Sequence, residues 1–126
     1  MERPARSTID YAFWVLSFCF GCGAVFHTIA AAVPTVDPEA PAWRHLLFVG
    51  INLACIAGFL KRPRLFIPLF AVLLVQQVLS HGGHAIRAWA ESRTVDAPSI
   101  GVVLVFPTAL ALLVIDAARE AGRRAR

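Results

Sequence analysis

The sequence predicts an all-α integral membrane protein: a four-helix, antiparallel up-down bundle with both termini on the cytoplasmic side. Three observations carry that prediction. The 126 residues are 58% hydrophobic and only 16% charged, with a mean hydropathy of +0.67, a composition too apolar for a soluble domain. The apolar residues fall in runs of about twenty, the length that crosses a bilayer. The basic residues are distributed unevenly between the segments that join those runs. Arg3, Arg6, Lys61, Arg62, Arg64, Arg119, Arg123, Arg124 and Arg126 lie on one side, and only Arg44, Arg87 and Arg93 on the other. Positively charged loops stay in the cytoplasm, so the nine-to-three bias sets the N-in, C-in orientation of a multi-pass protein of the cell membrane.

The first span opens at Ser7-Thr8-Ile9-Asp10, which has the spacing of a capping box. It runs to about Val33, where Pro34 and the Pro- and acid-rich stretch Thr35 to Pro41 stop it. Its basic start and Ala30-Ala31-Ala32 resemble a secretory signal, but the apolar stretch from Tyr11 to Val33 exceeds the roughly 7–15 residues of a signal core. It reads as a retained span. The second span runs from about Trp43 to Leu60, with Gly50, Ala54 and Gly58 recurring every four residues, a ridge that admits another helix at close range or a second copy of the chain. Lys61-Arg62-Pro63-Arg64 is a tight inner turn. The third span runs from about Leu65 to Trp89, with Pro68 in its early turns. The second outer loop is Glu91 to Asp96. Pro98 then starts the last helix, with Asp96 or Ala97 as its cap, a kink expected at Pro107, and an end near Ala118. Arg119 to Arg126 reads as a frayed basic tail. Trp43 and Trp89 at the outer interface, and Tyr11 and Trp14 at the inner one, match aromatic belts. No internal repeat stands out, and one four-span domain over residues 1–126 is expected.

Several function classes are excluded. There is no Ser/His/Asp set, Walker loop or dinucleotide fingerprint. The basic residues form no stripe with interleaved aromatics, so nucleic acid is not a partner; the bilayer is, with a homo-oligomer or a larger membrane complex as further possibilities. Cys19, Cys22 and Cys55 lie inside spans, so no disulfide framework is implied. Cys19-Phe20-Gly21-Cys22 has C-x-x-C spacing, yet without a second pair it reads as small apolar core residues.

What remains is a polar stripe. With the orientation above, all four histidines fall in the outer half. Gln77, Ser80, His81 and His84 share one face of the third helix. His45 and Asn52 share a face of the second. At a rise of about 1.5 Å per residue, His27 lies about 9 Å below the outer end, Asn52 about 13 Å, His81 about 12 Å and His84 about 7 Å, with His45 at the rim. Polar side chains at one depth on three helices point to an inward-facing pocket open to the outside. His27, Asn52, Gln77 and His81 are expected within reach of one another. Gly82-Gly83, costly inside a helix, is read as room for a neighbouring helix or a flat ligand.

Two chemistries fit such a pocket. Neutral imidazoles of His27, His45, His81 and His84 would ligate a transition metal or a haem, with Asn52, Gln77 and Ser80 supporting them. Asp37, Glu39, Glu91 and Asp96 would then supply a further ligand or a proton path. Alternatively the pocket is cofactor-free and takes a lipid or quinone, or the chain is a scaffold subunit whose polar groups only bond between helices. Whether it is an enzyme is left open by the sequence.

Overall fold

The computed structural model of the chain describes residues 7–38 and 40–126; Arg3 and Arg6 of the inner charge count, and Glu39 of the outer loop, lie outside them. Among the described residues the regular structure is four α-helices and no strand: α1 (Thr8–Ala32), α2 (Ala42–Lys61), α3 (Phe66–Ser92) and α4 (Ala97–Arg124). All four are long and apolar enough to cross a membrane.

Local chemistry sets the helix starts. Ser7 caps α1 with a reciprocal capping box: its hydroxyl accepts from the Asp10 N–H at 3.3 Å, and its own N–H donates to Asp10 Oδ2 at 2.9 Å. Asp96 caps α4 by accepting from the Ser99 N–H at 3.1 Å, with a proline in the first turn. At the other ends, α2 and α3 each close on a left-handed arginine, Arg62 (φ 50°) and Arg93 (φ 53°), a conformation that most often selects glycine. The basic C-terminal segment is not frayed, contrary to expectation. α4 continues to Arg124, helped by the i,i+4 ion pair of Glu120 with Arg124 and by arginines that suit the negative end of the helix dipole.

The chain divides between Arg62 and Pro63 into two compact units. In the first, α1 packs along α2. Asp10 pairs with Arg62 at one end (2.8 Å) and His27 meets His45 at the other. Between them Phe59, fully buried, stacks on Phe13 (centroids 6.0 Å apart) and takes the edge of Phe20 at 5.2 Å. Buried Cys55 and Gly58 keep this part of α2 narrow. Gly50 and Ala54 are exposed, so the four-residue ridge is not the α1–α2 seam. In the second unit α3 packs along α4, with Phe70 and Phe106 stacked at 5.4 Å and nearly parallel.

The surfaces of the four helices are compatible with a small membrane protein. Between 11% and 28% of the most apolar window of each helix is buried, and Phe18, Val72, Leu79 and Ile86 are each more than 70% exposed. Such continuous apolar exposure is foreign to a water-soluble monomer. The hydroxyls and amides agree: Ser17, Thr28, Asn52 and Thr108 each donate to the carbonyl four residues back on their own helix, at 2.7–2.8 Å. A helix side chain can satisfy itself in this way without water. Cys19 and Cys22 are exposed on α1 rather than in the core, a correction to their reading as core residues. Position on the helix decides this: the buried face of α1 runs through Phe13, Leu16, Phe20 and Ala24, and both cysteines lie off it.

Candidate functional site

The polar groups near the loop ends of the helices form one cluster in each unit. In the first unit, the α1–α2 packing that buries Phe59 brings His27 and His45 together, with Nδ1 to Nδ1 at 3.0 Å. At that distance one imidazole donates its Nδ1–H and the other accepts it. His45 is buried at 2% exposure although it stands only three residues into α2. Its ring faces α1, and Asp37 of the loop after Val33 lies 3.6 Å from its Nε2, while Ala42, Trp43 and Arg44 of the same turn stay exposed.

The other nitrogen of His45 fixes the direction of the bond. Its Nε2 is buried and makes no hydrogen bond, while Asp37 Oδ2 stands 3.6 Å away, beyond direct bonding range. A proton on Nε2 faces that carboxylate, and a bare lone pair there would be repelled by it. His45 is therefore Nε2–H with Nδ1 as acceptor, and His27 donates. The order is His27 Nδ1–H to His45 Nδ1, then His45 Nε2–H toward Asp37. Phe48 stacks on the His27 ring at 5.1 Å and Phe26 meets it edge-on at 5.3 Å, which fix the ring at a tilt of 36° to that of His45. A second proton on this dyad would set N–H against N–H. The contact is compatible with a neutral or singly charged pair and opens when both rings are charged.

Asn52, expected beside these histidines, donates instead to the Phe48 carbonyl at 2.7 Å. Its place is made by Gly23: a Cβ there would lie 2.8 Å from Asn52 Oδ1.

In the second unit, buried Ser99 receives His81, whose Nδ1 is 3.1 Å from the serine hydroxyl. The Ser99 hydroxyl in turn bonds to Asp96, and with the Ser99 N–H it holds that carboxyl below the usual carboxylate range. Since the hydroxyl proton goes to Asp96, Ser99 Oγ accepts from His81 Nδ1–H. This is not a nucleophile triad. In a triad the acid orients the histidine, and here it bonds the serine.

His84 is exposed, and Arg87 Nη2 lies 3.3 Å from its Nδ1. A guanidinium only donates, so this nitrogen of His84 is occupied as an acceptor. The rings of His81 and His84 are 6.4 Å apart. Gln77 is buried and donates to Gln76 at 2.7 Å, and Ser80 is half-buried one turn from Gln77. Gly82 has nothing within 4 Å of where a Cβ would stand, and Gly83 only the Arg87 guanidinium at 3.7 Å. The glycine pair therefore accommodates no close-packed neighbour among the described residues.

Among the described residues no group of three or more His, Cys, Asp or Glu side chains is placed to hold a metal ion. The imidazoles are strung into hydrogen-bonded chains rather than aimed at one point. Sequence reasoning passed over Ser99 and Gly23 altogether. Ser99 had one legible signal, its place three residues after a capping Asp; Gly23 had none, because its role depends on the register of α2. Comparisons with protein-family models, curated proteins and solved structures return no match. The reading rests on the geometry of the chain itself.

Proposed function

We propose that the chain is a multi-pass membrane protein with antiparallel spans and both termini in the cytoplasm, and that its outer end is a cofactor-free, protonation-dependent binding site for a small hydrogen-bonding organic molecule such as a quinone head group. The observation that carries this reading is the His27–His45 contact at 3.0 Å, backed by Asp37 at 3.6 Å from a buried, unbonded Nε2. A neutral pair can take a proton from a hydroxyl ligand and become a singly charged dyad, which can return that proton to a carbonyl or oxyanion ligand. Asp37 sits at the loop end and is 38% exposed, so the charge left on the dyad is balanced from the aqueous side.

The test is a titration of detergent-purified protein with a short-chain benzoquinone, followed by quenching of Trp fluorescence. Saturable binding is expected, weakened several-fold in His45→Leu. Quenching that never saturates, or that is equal in wild type and His45→Leu, overturns the reading.

A further inference from the structure

The opposite end of the first unit holds an opening that the histidine chemistry does not use. A cleft of about 200 Å³ is lined by Asp10, Phe13, Trp14, Phe59, Leu60 and Arg62. Its polar wall is an ion pair, Arg62 Nη2 to Asp10 Oδ1 at 2.8 Å, and both side chains keep between a quarter and a third of their surface open. Its remaining walls are aromatic and aliphatic, with Trp14 half exposed.

Both charges are held in place rather than carried on free side chains. Asp10 is fixed through its other oxygen, which accepts from the Ser7 N–H and hydroxyl, each at 2.9 Å. Arg62 is fixed by its left-handed helix cap, whose N–H bonds the Gly58 carbonyl at 2.7 Å, and by its guanidinium lying 5.2 Å above the Phe13 ring. A cation and an anion one hydrogen bond apart, beside an apolar wall, are complementary to a molecule with the same three parts in the same order.

We propose that this cleft is a headgroup site for phosphatidylethanolamine. The phosphate lies on the Arg62 guanidinium, whose planar fork suits two phosphate oxygens. The primary ammonium, two carbons away, donates to Asp10. The glycerol end runs over Trp14 and Leu60 into the lipid. Lys61 adjoins the site in sequence and adds attraction for the phosphate. Choline is excluded as an equal ligand because its quaternary nitrogen has no N–H for Asp10, and phosphatidylglycerol because it has no cation at all. The proposal rests on the membrane placement above but not on the histidine site.

Intact-protein mass spectrometry of the full chain in detergent tests it, with phosphatidylethanolamine, phosphatidylcholine and phosphatidylglycerol of matched acyl chains supplied in equal amounts. One retained phosphatidylethanolamine per chain is expected, favoured about fivefold over the other two, the size of one partly exposed charge-assisted hydrogen bond. Asp10→Asn should bring phosphatidylethanolamine down to the level of phosphatidylcholine, and Arg62→Gln should weaken all three. Ser7→Ala removes the two hydroxyl bonds of the cap but keeps the backbone N–H bond and the carboxylate, so it should retain the preference and separates a binding role of Asp10 from a merely structural one. Equal retention of phosphatidylethanolamine and phosphatidylcholine by wild type, or a preference that survives Asp10→Asn, overturns the proposal. A chain that stays soluble without detergent and retains no lipid of any class refutes the membrane placement instead.

Discussion

Replacing the two rings of the dyad, singly and together, measures the interaction on which the functional reading depends. In His27→Phe the stack on Phe48 is kept while the Nδ1–H is removed; in His45→Leu the acceptor is removed from a site 2% exposed. Leaving a buried donor or acceptor unmatched costs about 1–3 kcal/mol in soluble proteins. In membranes the measured coupling of interhelical hydrogen bonds averages about 0.6 kcal/mol and reaches about 1.7. The dyad is short, at 3.0 Å, and one partner is fully buried. It should therefore lie in the upper part of that range, at about 1–1.5 kcal/mol. His45→Leu also removes the unbonded Nε2, but that gain enters the single and the double variant equally and cancels in the cycle. The assay is reversible unfolding in mixed micelles at neutral pH, with the double variant expected to lose less than the sum of the singles by that amount. Additivity within about 0.3–0.5 kcal/mol at neutral pH would refute the hydrogen-bonded dyad.

Three further outcomes follow from the same structure. Asp96→Ala should cost about 1 kcal/mol as a lost helix cap; because Ser99 lowers the folded carboxyl below its unfolded value near 3.9, the wild-type advantage is complete above that pH and is lost as pH falls through the folded value, so stabilities measured against pH should converge in acid. Gly21→Ala and Gly82→Ala, where a Cβ meets nothing within 4 Å, should each stabilise their helix by up to about 1 kcal/mol. Gly23→Ala should show no such gain in a thermal melt, since its Cβ displaces Asn52 from the Phe48 carbonyl. For orientation, single cysteines at Ala40 and Arg64 in a cysteine-free background should label from outside intact cells at 40 only, and labelling at 64 alone contradicts the N-in, C-in placement.

The parts of this molecule that sequence reveals are those governed by neighbours in the chain. Helix number, the Ser7 capping box and the Asp96 cap depend on hydropathy and on contacts three residues apart, and they lie where the pattern puts them. Burial of individual polar residues depends on the register between helices. His45, three residues into α2, looks interfacial by count, yet the packing of Phe59 against Phe13 and Phe20 sets it opposite His27 and beneath the Asp37 loop. Asn52 has the right spacing to join it but is met first by its own helix carbonyl. The arginine-rich end of α4 reads as a tail because charge masks helix propensity, while the Glu120–Arg124 pair makes that charge compatible with a helix.

The most direct measurement is ¹⁵N NMR of histidine-labelled protein in lipid at neutral pH, recorded before and after addition of a short-chain benzoquinone. The account predicts one protonated and one bare Nδ1 in the His27–His45 pair, coupled to each other across the hydrogen bond, with both signals shifting on benzoquinone addition. Two Nδ1 signals of the same protonation state, with no coupling between them and no response to benzoquinone, would contradict it.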